Sequence, residues 1–218
     1  YRLFARRRVR VLAYHGIEDG AESYFSVSRE EFERQIALIA RTCRPLSLDA
    51  LDAALAGGQA LPKNAIVLTF DDGYDNFRAH AVPILEKYSV PATCFVITAT
   101  LDAGDPRFLT EADARRLART DLVTLGSHGA SHRSLRQLSA EEREAEIAGS
   151  RHRLEQSLGA PVRYFCYPYG TRNDVDTATA ASVAAAGYRL AFTSIKGVNT
   201  ARTPPFLLRR TKVEAGDD

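Results

Sequence analysis

The sequence has few cysteines, almost no net charge and no long apolar run, and each shortage excludes a class of protein. Its cysteines, Cys43, Cys94 and Cys166, are odd in number and far apart, so they predict neither a disulfide framework nor a CxxC metal site. The 29 basic and 27 acidic residues give a formal net charge of +2, too small to favour a nucleic-acid partner. No stretch approaches the ~18 apolar residues of a membrane span, so we expect no integral membrane segment.

Material for a core is plentiful. The chain has 218 residues, of which 45% are hydrophobic, and we expect a single domain over residues 1–218. No signal-peptide pattern opens the sequence. Because it begins at Tyr1 rather than Met, its localisation, in the cytoplasm or in the cell envelope, stays open. The oligomeric state also stays open.

Short apolar runs alternate with segments of helical spacing along the whole chain. Capping boxes mark several helix starts, for example Ser139 with Glu142, and Gly159 predicts the end of that long helix. This alternation predicts an α/β fold with right-handed crossovers and a mostly parallel sheet, open or closed into a barrel. The predicted strands are 9–14, 65–70, 92–97, 122–125, 162–166 and 190–193, with 206–208 as a candidate last strand.

Polar motifs follow four of these strands directly. His15 follows the first, Asp71-Asp72 the second, the stretch 127–132 (SHGASH) the fourth, and 167–170 (YPYG) the fifth. In parallel α/β folds the carboxyl ends of the strands share one face, and that face carries the site. We therefore expect these four stretches to converge in space.

The carboxylate pair after strand 65–70 has two interpretations. Asp71-Asp72-Gly73 is either a turn with Asp as a helix N-cap, since Asp-Gly is a common turn pair, or the rim of an active site. His128 and His132 are four residues apart, and with one carboxylate they would leave metal positions open, as in a catalytic site. The other carboxylate would then act as a base.

At this point the motifs resemble those of a known family. The stretches 69–76 (TFDDGYDN), 127–132 and 167–170 resemble, in order, the first three motifs of the polysaccharide deacetylases, or NodB-like carbohydrate esterases. The stretches 14–17, 24–39 and 45–51 are similar to the branch with poly-N-acetylglucosamine deacetylases. The resemblance implies a distorted, incomplete (β/α) barrel. It also implies a metal-dependent N-deacetylase that releases acetate from N-acetylated sugars of a polysaccharide or glycoconjugate.

The resemblance assigns roles by position. It implies that Asp71 is the general base, that Asp72, His128 and His132 bind one divalent ion, and that the backbone N–H of Tyr169 stabilises the oxyanion. Zinc suits these ligands best, with cobalt, nickel, iron or manganese as alternatives. Contacts with the glycan substrate are expected from Tyr74, Pro168 and Gly170, and stacking on sugar rings from Tyr24, Phe25, Tyr74 and Tyr169.

The sequence departs from the family pattern at two places. Cys166 stands where many members carry an Arg that steadies the base, and no histidine follows Gly170. We expect His15, which matches an early His of the poly-N-acetylglucosamine branch, to be the acid, and Arg209 or Arg210 to replace the missing Arg. The alternatives are a hydrolase of another small amide, such as an N-formyl or cyclic amide, and an inactive carbohydrate-binding module on the same fold.

Overall fold

The computed structural model describes residues 8–19 and 25–216, and within them strands and helices alternate as expected. Tyr24 lies outside the described residues. The strands are β1 Val9–Tyr14, β2 Gly16–Glu18, β3 Ser26–Ser28, β4 Arg44–Pro45, β5 Ala65–Phe70, β6 Ala92–Val96, β7 Val123–Ser127, β8 Tyr164–Cys166, β9 Leu190–Phe192 and β10 Thr211–Lys212. The α-helices are α1 Arg29–Thr42, α2 Leu48–Ala56, α3 Val82–Tyr88, α4 Glu111–Leu117, α5 Ala140–Glu144, α6 Ser150–Leu158 and α7 Thr177–Ala185.

One parallel sheet organises these elements. Its strand order is β10-β1-β5-β6-β7-β8-β9, with β4 also pairing with β5. At the two ends of this order, β10 pairs with β1, and Leu208 forms a parallel bridge with Phe192 of β9. The segment 208–212 therefore lies between the first and last strands, and the sheet curls into the expected incomplete (β/α) barrel.

The chain differs from the sequence prediction mainly where elements are very short or irregular. The last strand is Thr211–Lys212, not 206–208, and Leu208 makes only an isolated bridge. Two or three paired residues carry no periodic signal, which is also why β2, β3 and β4 were not predicted. The long helix that ends at Gly159 contains a π turn, Ala145–Gly149, between α5 and α6. No described helix is long and apolar enough to cross a bilayer.

The twofold period of the strands decides which side chains enter the barrel. In β5, Ala65 and Val67 belong to the interior apolar cluster, whereas Ile66 and Leu68 pack in the layer under the helices. Since successive side chains of a strand point to opposite faces, the next interior positions are Thr69 and Asp71. The strand register thus directs the first aspartate into the barrel.

Candidate active site

The polar residues after the strands line one cleft. It has a volume of about 480 Å³ and lies at the carboxyl ends of the sheet strands. Its lining residues include His15, Asp71, Asp72, Tyr74, His128, His132 and Tyr169, together with Phe25, Ser194 and Lys212. The structure therefore brings together residues from four separate stretches of the sequence, as their positions after parallel strands predict.

Asp71 is held by a buried arginine. The Arg210 guanidinium donates from Nη1 to Oδ1 and from Nη2 to Oδ2, both at 2.7 Å. Arg210 is itself fixed because its Nε donates to the Thr193 carbonyl at 3.0 Å. Burial alone would raise the pKa of Asp71, but Arg210 outweighs it and holds that pKa well below its usual range. The Asp71 carboxylate is therefore ionised.

This arginine enters from the segment just before β10. Of the two residues that the sequence offered, Arg210 is 1% exposed and contacts Asp71, whereas Arg209 is exposed and lies over Gly197. Cys166 fills part of the same space, with its Sγ 3.0 Å from Arg210 Nη2 and 3.7 Å from Asp71 Oδ2. Burial raises the pKa of the Cys166 thiol, so a neutral thiol lies beside the ion pair.

Asp72 has a different environment from its neighbour. Its φ is +71° and that of Gly73 is +76°, so the chain makes a left-handed turn directly after the strand. The turn interpretation is therefore right for the backbone, but Asp72 is not the N-cap of the helix that follows, since Asn76 occupies that position. Asp72 Oδ1 is buried and has no hydrogen-bond partner among the described residues.

Two imidazoles face that oxygen. The Nε2 atoms of His128 and His132 lie 3.4 Å and 3.5 Å from Asp72 Oδ1. His128 Nδ1 is 2.8 Å from the Cys166 carbonyl and donates to it, so Nε2 is the ring nitrogen that faces Asp72. Ligands of a tetrahedral ion with bonds of ~2.1 Å are ~3.4 Å apart. The separations and the unpartnered oxygen thus fit one divalent ion.

A second cluster, Asp71 with His128 and Cys166, also has its ligand atoms within 4.8 Å of one another. It suits an ion poorly, because Arg210 occupies both oxygens of Asp71 and a thiol must lose its proton to bind a metal. The Asp72 cluster is therefore the better candidate metal centre.

The turn at 167–170 presents a backbone donor. Tyr169 has a φ of +59° and Gly170 a φ of +64°. A Cβ on Gly170 would lie 2.7 Å from the Ser194 backbone N, so this position requires glycine. No described residue accepts a hydrogen bond from the Tyr169 N–H, and its side chain is 55% exposed. Pro168 packs beside Gly129 and shapes the turn.

His15 and Tyr74 complete the cleft walls. His15 Nε2 lies 4.0 Å from Asp71 Oδ2, and burial lowers the pKa of His15 even though Asp71 acts in the opposite direction. The Tyr74 ring stacks on Phe108 with centroids 5.0 Å apart, and burial beside Asp72 raises the pKa of its hydroxyl.

Two functional candidates were not predicted from the sequence. Glu146 is only 5% exposed and donors of the loop between His128 and His132 contact it. The available signal was an acidic residue directly beside Ile147 on the inward side of the helix. Lys212, in β10, lines the cleft over the Phe25 ring at 5.7 Å, and a two-residue strand gives no signal of its own.

Comparison with known proteins agrees with this geometry. Residues 58–191 match the family model described as polysaccharide deacetylase. The poly-beta-1,6-N-acetyl-D-glucosamine N-deacetylase of Escherichia coli K12 is 32% identical over an alignment of 133 positions that covers 54% of this chain and 20% of that protein. The chain thus spans about a fifth of that relative's length.

Solved structures match over nearly the whole chain. The Streptococcus pyogenes deacetylase PplD, in complex with acetate, superposes with a TM-score of 0.88 at 25% identity, covering 95% of this chain and 92% of that one. IcaB from Ammonifex degensii gives 0.82 at 26% identity, with the same two coverages. With the family model matching more than half of its residues, the chain belongs to the polysaccharide deacetylase family of metal-dependent hydrolases, which cleave N-acetyl amide bonds.

Proposed function

We propose that this chain removes acetyl groups from the N-acetylglucosamine units of a poly-β-1,6-linked polysaccharide and holds one divalent ion, zinc, to do so. The observation that carries the proposal is the buried, unpartnered Oδ1 of Asp72, which faces the Nε2 atoms of His128 and His132. The name of the Escherichia coli relative supports the choice of glycan. The His and carboxylate ligands favour zinc.

Asp72, His128 and His132 would hold the ion. When bound, a divalent ion supplies Lewis-acid polarisation of the amide carbonyl and lowers the pKa of water. The requirement on the protein is a base that stays ionised next to this charge. Asp71 meets it, because Arg210 keeps the pKa of that carboxyl low and takes only one acceptor site on each carboxylate oxygen.

The proton movements can be assigned to residues that line the cleft. Asp71 accepts a proton from the attacking water, the water oxygen bonds to the acetyl carbon, and the C–N bond breaks. The Tyr169 N–H, which no described residue uses, donates to the developing oxyanion. His15 lies 4.0 Å from Asp71, takes up the proton that Asp71 received and delivers it to the leaving amine. The products are acetate and the free glucosamine unit.

The rest of the cleft suits a sugar chain. Phe25 and Tyr169 are half exposed, at 50% and 55%, and both line the cleft with Tyr74. Exposed aromatic faces beside a polar site are a natural surface for the apolar faces of sugar rings. Pro168 and Gly170 contribute through the shape of the turn that carries Tyr169.

The direct test is acetate release by the purified chain, with metal analysis of the same sample. We expect about one zinc per chain and release of acetate from β-1,6-linked N-acetylglucosamine oligomers in preference to β-1,4-linked ones. N-formyl and cyclic amides serve as competing substrates. No acetate release from any glycan with zinc, cobalt or nickel supplied would refute the deacetylase assignment. Faster cleavage of a small amide would replace the glycan as substrate.

A further inference from the structure

The loop between the two candidate histidine ligands, residues 128–132, is called the histidine loop here. It ends in His132, whose φ of +61° lies in the left-handed region, an unfavourable conformation for a residue with a Cβ. Such a conformation persists only where the surroundings fix it. Something in the fold must therefore hold this backbone so that the His132 imidazole meets Asp72.

The backbone groups of the histidine loop are anchored from two sides. Its carbonyls at Gly129 and Ala130 accept hydrogen bonds from Thr98 N at 3.1 Å and Ala99 N at 2.9 Å. The amides of Ala130 and Ser131 both donate to Glu146 Oε2 at 2.9 Å. The carbonyls and the first two amides of the loop are thus held by main chain and Ser127, whereas the amides of Ala130 and Ser131, just before His132, depend on one carboxylate.

Glu146 makes a third contact, because the Ser131 hydroxyl donates to Glu146 Oε1. The carboxylate is 5% exposed. Within residues 8–19 and 25–216, it forms no ion pair with a cationic side chain. Burying a carboxylate is costly unless hydrogen bonds satisfy it. Here the donors that satisfy it are those of the histidine loop, so the residue serves that loop rather than an ion pair.

The local helix geometry aims Glu146 at the loop. The residue lies in the π turn Ala145–Gly149, where Glu146 and its neighbour Ile147 are both buried. A π turn contains an extra residue compared with an α turn, and such turns are frequent at functional sites. The same carboxylate packs on Gly129, where an added Cβ would lie 3.2 Å from Oε2.

We propose that Glu146 is a positioning residue for the metal centre, whose carboxylate fixes the histidine loop so that His128 and His132 converge on Asp72. This inference rests on the proposed metal-dependent function, but it concerns metal affinity and so can be measured without turnover. Glutamine is nearly the same shape as glutamate, and its Oε1 can accept both loop amides while its Nε2 donates to the Ser131 hydroxyl. Glu146→Gln should therefore retain the loop, and Glu146→Ala should not.

The experiment compares Co²⁺ and Zn²⁺ binding by Glu146→Ala, Glu146→Gln and Ser131→Ala with the wild type. Glu144→Gln is the matched control, since Glu144 is an exposed residue of the same helix. We expect Glu146→Ala to weaken metal binding by about 10- to 100-fold, the effect found when groups that orient ligands are removed. The Co²⁺ visible spectrum should change with it. The metal affinity of Ser131→Ala should lie between that of Glu146→Ala and that of the wild type. The affinities of Glu146→Gln and Glu144→Gln should stay close to the wild-type value.

Urea unfolding of the metal-free variants separates positioning from stability. Wild-type metal affinity and spectrum in Glu146→Ala would overturn the proposal, whatever its stability. If Glu146→Ala does not fold, Ser131→Ala decides: unchanged metal affinity in that variant would likewise overturn it. If the wild type binds metal but releases no acetate, the proposed function fails while the role of Glu146 is still measured.

Discussion

Two adjacent aspartates divide the site into an inner half and an outer half. The inner half is Asp71 with Arg210 and Cys166, where both carboxylate oxygens are paired and the exposed fractions are 3%, 1% and 0%. The outer half is Asp72 with His128 and His132, where Oδ1 has no described hydrogen-bond partner. In the inner half, protein groups pair both carboxylate oxygens, whereas the outer half leaves an oxygen for the proposed divalent ion.

The difference follows from one step of the backbone. Asp71 still continues the period of β5 and points into the barrel, whereas Asp72 has a φ of +71° and has left the strand. The same residue type therefore acquires two electrostatic environments at adjacent positions. Burial would raise the pKa of both carboxyls, but Arg210 lowers that of Asp71 and His128 lowers that of Asp72. The comparison predicts that substitutions in the outer half reduce metal binding, whereas substitutions in the inner half reduce catalysis or stability and leave metal binding intact.

The largest effect is expected in the outer half. Asp72→Ala removes one of the three proposed metal ligands, so metal affinity should fall more than about 100-fold. Acetate release should fall by about 1,000-fold or more, because the ion supplies several kcal/mol of transition-state stabilisation. Metal content by elemental analysis and acetate release on one sample test both. Full metal content in Asp72→Ala would contradict the division of the site.

Asp71→Asn should separate chemistry from metal binding. The amide keeps the shape and can still accept from Arg210, but it cannot take a proton from water. We expect kcat to fall by about 100- to 10,000-fold, the range for a lost general base, while metal content stays at the wild-type level. Asp71→Asn that loses its metal would show that the halves are not independent.

The two aspartates also show which parts of the site could be predicted from the sequence. The strand ends, the spacing of His128 and His132, and the pair after β5 were visible because periodicity and motif order are local properties. The partner of Asp71 could not be identified from such local patterns, since Arg210 is 139 residues away along the chain. From the sequence, Arg209 and Arg210 were equally good candidates for the arginine that contacts Asp71. Which one turns inward depends on how the segment 208–212 bridges β9 and β1.

Arg210 and Arg209 therefore form a matched pair for stability. Arg210→Met leaves a buried carboxylate without its partner, which should lower the free energy of unfolding by about 3–5 kcal/mol. Arg209→Met changes an exposed residue and should alter it by no more than about 0.5 kcal/mol. Urea unfolding of the metal-free proteins at neutral pH measures both values. Equal losses in the two variants would rule out the ion pair as the cause.

Acid should reduce the stability gap between the wild type and Arg210→Met. In the wild type the folded pKa of Asp71 lies below its unfolded value of about 3.9, so the stabilisation is present above that pH and is lost as pH falls. Without Arg210, burial raises the folded pKa, and the variant gains relative stability as pH falls. Unfolding curves between pH 7 and pH 3 should show the gap narrowing as pH falls below the raised folded pKa of the variant, by up to about 1.4 kcal/mol per pH unit. A constant gap would contradict this coupling.

The smallest effect is expected where the protein uses backbone rather than side chain. The proposed oxyanion donor is the Tyr169 N–H. Tyr169→Phe keeps the ring and the φ preference and removes only the hydroxyl, so it should change kcat by no more than about threefold.

Gly170→Ala is the contrasting variant, because its Cβ would lie 2.7 Å from Ser194 N and the turn must move. That variant should lose kcat by about 10-fold or more, as expected for a misplaced donor. Since neither residue belongs to the proposed metal cluster of Asp72, His128 and His132, both variants should retain metal, and steady-state acetate release would then report the donor alone. A large loss in Tyr169→Phe with little in Gly170→Ala would assign the role to the phenol instead of the backbone.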